Sequence, residues 1–379
     1  MKKAIAIVIA IIVGVPLLHL AYARYHQPTV PEGTEAWRTR ADALTRGRVF
    51  MPEAPAVEQV DFTRNHTEPN PFPPDAALEC RYQPKKISGT TPKFDCRMAN
   101  GEVIKVKYGV NPEIPSEVAT TRLLTALGFG ADHMSIVKSV RCFGCPRSPF
   151  RYRQASEWFF VTPLHEWMID FDKYTDFEQV AIERKLNARA FEAGEHEGWA
   201  WYELAAVDPS RGGAPRADVD ALRLMAVFLA HWDNKSANQR IACLGDDGDD
   251  GDARCANPLL MIQDAGATFG PRKVDLDGWK RAAIWRTDKP GCWASMDQLP
   301  YSGATFSDVE ITEDGRRILA DKLGRLTDRQ ITQMFSAAGF PDADGTMRPG
   351  ATDVQPWVEV FMAKRREIAT RACGPSPSR

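Results

Sequence analysis

The sequence predicts an α+β protein in two parts: a small strand-rich part over residues 79–165, then a larger, mostly helical part over residues 166–373. Its 379 residues suffice for two domains of ordinary size. Apolar residues make up 44% and charged residues 26%, which excludes a disordered or fibrous chain. The net charge of −2 indicates no general attraction to nucleic acid, so we expect no nucleic-acid partner.

The N-terminus has the features of an export signal. Met1-Lys2-Lys3 precedes an almost wholly apolar run at residues 4–20, and Ala21-Tyr22-Ala23 then supplies a small-x-small pattern. Residues 1–23 are predicted to be either a cleaved signal peptide or an uncleaved membrane anchor. In both cases the lysines stay in the cytoplasm. We therefore expect the chain to be exported, anchored in the inner membrane and facing the periplasm, or secreted.

Residues 24–78 are rich in Pro, Glu, Thr and Arg and show little periodicity. The run Pro-Asn-Pro-Phe-Pro-Pro at 69–74 excludes a helix or a central strand there. The composition predicts a stalk or linker, with one helix near Glu35 to Arg46.

The chain contains eight cysteines, a number that fits an oxidising compartment. Cys142-Phe-Gly-Cys145 lacks a second ligand pair at zinc spacing, so a disulfide is favoured over a metal site. Sequence alone leaves connectivity open. Neighbourhood in the chain suggests four pairs: Cys80 with Cys96, Cys142 with Cys145, Cys243 with Cys255, and Cys292 with Cys373.

In the strand-rich part, two extended runs, Lys93 to Met98 and Val103 to Tyr108, flank an Asn-Gly pair, which predicts a β-hairpin. Ser116 as N-cap and Gly128 as terminator predict a helix over residues 117–127. Residues 158–162 are predicted to form a further strand.

The second part is predicted to be mostly helical. Residues 218–232 form a pattern that is apolar around most of a helix, which indicates a central position. A short strand is predicted at 261–263. Three further helices are predicted at 314–323, 328–338 and 354–370.

The strongest chemical signal follows the central helix. Phosphoryl transfer to a hydroxyl needs a carboxylate near the attacking oxygen, a cation on the phosphate and oxygen ligands for magnesium. Asp233 could accept the hydroxyl proton, Lys235 could reach the γ-phosphate, and Asn238 could bind the metal through its amide oxygen. The alternative is a helix end followed by a polar turn.

A second carboxylate lies downstream, in Ile262-Gln-Asp264-Ala-Gly266. Entering from a short strand, Asp264 could bridge the nucleotide phosphates through the metal, while Gly266 permits the turn. The alternative is a simple turn, but the order along the chain, after Asp233 and Asn238, resembles that of kinases.

The strand-rich part supplies the candidate nucleotide contacts. A Gly/Ser/Thr loop at residues 87–93 could cradle phosphates with its amides and hydroxyls, or be a surface turn. Its candidate residues are Ser88, Gly89, Thr90 and Lys93. Lys107 could contact the α- and β-phosphates, with Lys105 as its rival two residues away. Glu117 could hold that lysine, or could serve the helix dipole.

These motifs resemble known kinases over residues 80–340. His-x-Asp-x-Lys-x-x-Asn at 231–238, followed by Asp-x-Gly at 264–266, resembles the catalytic loop and metal-binding triplet of protein kinases. The loop at 88–94, with Val-Lys-Tyr-Gly at 106–109 and the helix bearing Glu-Val-Ala-x-x-Arg-Leu-Leu, resembles HipA-type atypical kinases. Export and multiple cysteines resemble the secretory-pathway kinases of animals.

The resemblance implies a two-lobed kinase-like fold, with Asp233 as base, Asn238 and Asp264 on Mg²⁺ or Mn²⁺, and Lys107 on ATP. Two spacings depart from ordinary protein kinases. The interval from Asn238 to Asp264 is longer, and a disulfide within it could close the excess as a loop. The interval from Lys107 to Glu117 is shorter.

The implied activity is an ATP-dependent phosphotransfer to a hydroxyl of a protein, glycan or small molecule, with an exported protein as one class of acceptor. Two alternatives stay open. One is an exported pseudokinase that binds a partner without turnover. The other is a nucleotidyltransferase that uses the same residues.

Overall fold

A computed structural model describes residues 34–65, 71–85, 89–160, 169–191, 197–245, 255–297, 299, 303–342 and 345–373. The predicted signal peptide or anchor, residues 1–23, lies outside these ranges. Within them, no helix has both the length and the apolar character needed to cross a membrane.

The described residues form helices and strands in mixed order, so the α+β class is confirmed. The helices are α1 (Thr34–Thr45), α2 (Glu113–Ala126), α3 (Pro149–Phe160), α4 (Arg216–Phe228), α5 (Leu276–Arg281), α6 (Glu313–Gly324), α7 (Asp328–Ala338) and α8 (Gln355–Thr370). The strands are β1 (Ala77–Gln83), β2 (Lys93–Met98), β3 (Val103–Lys107), β4 (His133–Phe143), β5 (Tyr174–Arg184), β6 (Ala188–Phe191), β7 (Gln239–Leu244), β8 (Pro258–Ile262), β9 (Trp293–Ala294) and β10 (Val309–Glu310).

The first five strands close into a barrel in the order β1-β2-β3-β5-β4. Its pairs are antiparallel except β1 with β4, which run parallel and complete the closure. The predicted hairpin is confirmed: β2 pairs with β3, and Gly101 takes the left-handed conformation (φ 87°) that the turn needs. Apolar side chains such as Phe94, Ile104 and Ile182 form a separate core within the barrel.

Two predictions in this region are wrong. β5 pairs with both β3 and β4, so the strand-rich part continues to Arg184 and does not end at residue 165. The run predicted as a strand at 158–162 falls in α3 up to Phe160, and its last two residues lie outside the described ranges. A short apolar run cannot by itself distinguish a strand from a helix, whereas Pro149 suits the first position of a helix.

The helix α2 begins earlier than predicted. It starts at Glu113, whose backbone N–H donates to the Asn111 side chain (2.9 Å), and Ser116 lies inside the first turn instead of capping it. Pro115 is tolerated there because first-turn N–H groups have no partner within the helix. Val118 and Leu123 pack in the large core of the helical part and not in the barrel core.

The large core is built around α4, which is buried on nearly every side. The helix was predicted to reach Trp232 but ends at Phe228. Ala230 adopts a left-handed conformation (φ 53°), and His231 N–H turns back to the carbonyl of Ala226 (2.9 Å). The chain leaves the helix at this point and enters the loop that carries the candidate catalytic residues.

Residues 34–65 are not a stalk, although the helix predicted near Glu35 to Arg46 is confirmed as α1. The buried side chains of this segment belong to the large core; they are Ala43, Leu44, Val49, Val57, Val60 and Phe62. Its extended stretch bridges β8 at Arg48, and the Met51 N–H donates to the Gly128 carbonyl (2.8 Å). Extended residues with irregularly spaced apolar side chains carry no periodic signal, which explains the wrong prediction.

The eight cysteines form four disulfides, and all four suggested pairs are confirmed. Cys243–Cys255 closes the connection between β7 and β8, the long interval between the two candidate motifs. Residues 246–254 of that connection lie outside the described residues.

Candidate functional site

Lys107, at the end of β3, is buried between two carboxylates. Its Nζ contacts Glu117 of α2 and lies 2.9 Å from Oε2 of Glu183 of β5. All three side chains are no more than 4% exposed. The short interval between Lys107 and Glu117 therefore does not prevent their contact, because α2 turns back against the end of β3.

The pKa values of these three side chains depend on burial and on the charges of their neighbours. Burial disfavours the ammonium form of Lys107, but Glu117, Glu183 and Asp264 outweigh it and raise its pKa well above the usual value. Burial also disfavours the carboxylate of Glu183, yet its three lysine neighbours hold that pKa well below the usual value. Burial raises the pKa of Glu117 to about 7, so Glu183 is the more constant anionic partner of Lys107.

Glu183 was missed by sequence reasoning, and it joins three lysines. Besides Lys107, its Oε1 lies 2.7 Å from Lys105 and 2.7 Å from Lys185. Lys185 also contacts Asp132 (2.7 Å). The alternation within β5 could have placed Glu183 on the face of Lys107 only if that strand had been predicted.

Hydroxyl groups fasten α2 to the segment after β8. The hydroxyl of Thr268 lies 2.6 Å from that of Ser116 and 2.8 Å from that of Thr120, and all three residues are fully buried. Thr268 also donates to the carbonyl of Ala265 (3.0 Å). The helix that carries Glu117 is thus held directly against the Asp-x-Gly segment, through hydroxyl groups for which the sequence predicted no role at the site.

Gly266 allows a further close approach between the same two elements. A Cβ at this position would lie 2.4 Å from Cγ of Glu113, in the first turn of α2. Glu113 is itself paired with Lys273, so its side chain has little freedom to move away. Glycine is required here by space.

Asp264 follows β8 and lies within electrostatic range of the barrel lysines. Burial disfavours its carboxylate, but the Lys107 ammonium and the N–H of Gly266 (3.2 Å from Oδ1) outweigh it and lower its pKa. Burial and the charges of Lys107 and Lys105 lower the pKa of Lys93, whereas Asp264 acts in the opposite direction. Lys93 is the register partner of Lys107 on β2.

The loop at residues 231–238 is joined to the Asp-x-Gly segment through its backbone. The carbonyl of Asn238 accepts from the N–H groups of Gln263 (2.9 Å) and Asp264 (3.1 Å), and the Asn238 amide donates to the carbonyl of Asp233. Asn238 therefore connects the other two predicted oxygen-bearing residues.

Asp233 has one carboxylate oxygen free for a ligand. Its Oδ2 accepts from Lys235 (3.1 Å), whereas Oδ1 is buried and has no hydrogen-bond partner among the described residues. The Asp233 side chain is 25% exposed and that of Lys235 is 47% exposed, so both side chains reach the surface although Oδ1 itself faces inward. An unpaired buried carboxylate oxygen suits an acceptor of a substrate hydroxyl.

Asn234, which sequence reasoning missed, fixes the shape of this loop. Its Oδ1 accepts from the N–H groups of Thr305 (2.9 Å) and Phe306 (3.0 Å), and its Nδ2 donates to the carbonyls of His231 (3.1 Å) and Trp232 (3.3 Å). It is fully buried. Asn234 lies inside the motif at 231–238, and that position is the signal by which it could have been found. The resemblance to kinases, however, implies no role for a residue at this position.

The predicted phosphate loop is only partly described. Ser88 lies outside the described residues, Gly89 has a left-handed conformation (φ 83°), and Thr90 is exposed. The neighbouring hydroxyl of Thr91 is buried and has no hydrogen-bond partner among the described residues. Among the described members of this loop, Lys93 interacts electrostatically with Lys107 and Asp264.

Carboxylate and amide oxygens of the kind that Mg²⁺ or Mn²⁺ takes are present at Asp264 and Asn238. The amide nitrogen of Asn238 donates to the carbonyl of Asp233, which leaves the side-chain oxygen of Asn238 as the available ligand atom. These two oxygen donors therefore fit a divalent metal ion.

No protein-family model and no curated protein matches the sequence. Among solved structures, the chain is similar to a proinflammatory kinase, CtkA, of Helicobacter pylori, with 12% identity and a TM-score of 0.39. The alignment covers 77% of this chain and 92% of the other. A likeness this distant carries no argument about activity.

Proposed function

We propose that the chain is an atypical kinase with a two-lobed fold, which transfers a phosphoryl group from ATP, with Mg²⁺ or Mn²⁺, to a hydroxyl of an exported protein, a glycan or a small molecule. The barrel would be the smaller lobe and the helical part the larger lobe. The nucleotide would lie between them.

One observation carries the proposal: Asn238 is hydrogen-bonded to both Asp233 and Asp264, and Asp264 acts electrostatically on the buried Lys107. The residues proposed as proton acceptor, as metal ligands and as phosphate-binding cation thus belong to one connected group. Phosphoryl transfer depends on positioning and charge stabilisation by these groups.

The roles follow from the local contacts. Asp233 would accept the proton of the acceptor hydroxyl at its free Oδ1, and Lys235 would bind the transferred phosphate. Asn238 and Asp264 would hold the metal ion, which offsets phosphate charge when bound. Lys107 would bind the α- and β-phosphates while Glu117 and Glu183 keep its ammonium in place.

The compartment is part of the proposal. Four disulfides are consistent with an exported chain. We propose that residues 1–23 direct export, either as a signal peptide or as an inner-membrane anchor that leaves the folded part in the periplasm. The acceptor would then be an exported or cell-surface molecule.

The test is incubation of the purified chain with γ-labelled or α-labelled ATP plus magnesium or manganese, alongside thermal unfolding with and without nucleotide. Asp264→Asn should abolish label transfer from the γ position, because the metal loses its charged ligand. Asp277→Asn, an exposed aspartate at the start of α5, is the matched control and should retain it.

Label from the α position would replace the proposal with nucleotidyl transfer. No label together with a nucleotide-induced thermal shift would indicate a pseudokinase that binds nucleotide. No label and no shift would leave the partner-binding alternative.

A further inference from the structure

Two disulfides lie side by side at one end of the barrel. Cys80–Cys96 joins β1 to β2, and Cys142–Cys145 closes the end of β4. The Sγ atoms of Cys96 and Cys142 are 3.5 Å apart, although no disulfide joins them. The sulfur of Cys80 lies within 4.8 Å of both, so three sulfurs from two different disulfides form one cluster.

We propose that this cluster is a thiol–disulfide exchange site that accepts an electron pair from an exported dithiol and moves the barrel cross-link from one pair of strands to another. The proposal depends on the sulfur contacts and on the burial of the four cysteines, takes the oxidising compartment from the proposed function, and is independent of phosphotransfer.

Exposure defines the point of entry. Cys145 is 7% exposed, whereas Cys142 and Cys96 are fully buried and Cys80 is 3% exposed. Cys145 is thus the least buried of the four and the first that an external thiolate can reach, and the Cys142 thiolate released there has the Cys96 sulfur 3.5 Å away as an alternative target to the mixed disulfide. Exchange rates depend on which sulfur the attacking thiolate can reach.

The exchange proceeds in three substitutions. A partner thiolate attacks Cys145 Sγ and forms a mixed disulfide, and the Cys142–Cys145 bond breaks with its electron pair on Cys142. The Cys142 thiolate then attacks the adjacent Cys96 Sγ, forming Cys96–Cys142 and releasing Cys80 as a thiolate. The second thiol of the partner resolves the mixed disulfide at Cys145.

The electrons and protons of this exchange balance without another reactant. The partner dithiol is oxidised to a disulfide, and its two protons end on Cys80 and Cys145 as thiols. One of the two protein disulfides is lost, and the remaining one, Cys96–Cys142, links β2 to β4. The cross-link between β1 and β2 is released.

The other two disulfides serve as internal controls. Neither Cys243–Cys255 nor Cys292–Cys373 has a third cysteine sulfur at comparable distance. Reduction there should release both cysteines of the same pair, with no new connection.

The first experiment treats the full chain with one molar equivalent of dithiothreitol, alkylates free thiols under acid quench and maps the tryptic peptides. Trypsin places Cys80 in peptide 65–81, Cys96 in 94–97, and Cys142 with Cys145 in 142–147. We expect a new cross-link between peptides 94–97 and 142–147 through Cys142, with alkylated Cys80 and Cys145. Alkylation of Cys142 and Cys145 with peptides 65–81 and 94–97 still joined would overturn the proposal.

A variant tests the internal step without reductant. In Cys145→Ser, Cys142 lacks its partner, and we expect at least a tenth of the molecules to carry Cys96–Cys142 with Cys80 as the free thiol. The matched control is Cys255→Ser, in which Cys243 should stay a free thiol and the other disulfides should stay unchanged. Cys145→Ser with Cys80–Cys96 fully retained would contradict the relay.

Discussion

On the barrel side of the candidate site, Lys107 is held by charged side chains, since Glu117 and Glu183 both contact its ammonium. On the opposite side, the backbone carbonyl of Asn238 and the side-chain oxygen of Asn234 accept hydrogen bonds from backbone N–H groups in the segments that follow β8 and precede β10. The position of Lys107 on the barrel side therefore depends on the balance of charges around it. The conformation of the loop depends on hydrogen bonds to backbone groups.

The two sides should therefore respond differently to substitution. A substitution in the charge group alters protonation states and leaves the strands paired, because strand hydrogen bonds do not involve these side chains. A substitution in the loop removes partners of buried backbone groups, which have no water to replace them. Three substitutions test this comparison.

The largest effect is expected for Lys107→Met. It leaves Glu117 and Glu183 buried without their shared cation, which we expect to reduce the free energy of unfolding by about 3 kcal/mol. Urea denaturation measures this change. Lys105→Met, in the same strand with the same partner Glu183 but 29% exposed, is the matched control and should cost less than about 1 kcal/mol.

The same pair of variants tests which lysine binds the proposed nucleotide. Thermal stabilisation by ATP and magnesium should be lost in Lys107→Met and retained in Lys105→Met. The reverse result in the thermal measurement would assign the role to Lys105. Equal losses in the free energy of unfolding for the two variants would mean that burial of Lys107 adds nothing to its contribution to stability.

A loss of about 2–3 kcal/mol is expected for Asn234→Ala, because two buried N–H groups and two carbonyls lose their hydrogen-bond partner. The matched control is Asn257→Ala, an exposed asparagine before β8, which should change stability by less than about 0.5 kcal/mol. Equal urea midpoints for both variants would show that Asn234 does not hold the loop.

The comparison also explains what the sequence could predict of the fold. The hairpin at Asn100-Gly101 and the helices α7 and α8 have strong local signals, and the structure contains them. The barrel closure, formed by β1 against β4 and by β5 between β3 and β4, depends on pairings between distant segments that leave no local pattern. Residues 46–65 were wrongly predicted as part of a stalk for the same reason, because they pack against β8 and Gly128, which are distant in sequence.

The candidate site divides in a similar way. Asp233, Asn238 and Asp264 stand in a spaced motif that sequence alone can reveal. Glu183 and Thr268 contribute through tertiary contacts, and a single carboxylate or hydroxyl has no distinguishing neighbours in the sequence. Register and packing must be known before such residues can be selected.

The smallest effect should come from His231, at the start of the loop, and it appears as a pH dependence. Burial lowers its pKa to about 4, against 6.5 for the exposed side chain, and its Nε2 lies 3.3 Å from the Gln239 amide. Because the folded pKa is depressed, the unfolded chain binds the extra proton between pH 6.5 and 4. Stability should therefore fall as the pH drops through that window, by roughly 2 kcal/mol from pH 7 to pH 5.

Urea unfolding of the wild type and His231→Gln at several pH values isolates this contribution. Glutamine cannot take the proton, so the difference in stability between the two proteins should shift by roughly 2 kcal/mol in favour of the variant between pH 7 and pH 5. Titration of the carboxylates acts on both proteins and cancels in the difference. A difference that stays constant with pH would mean that His231 is solvated enough to protonate in the folded state. The loop would then hold a charged side chain, as the barrel side does.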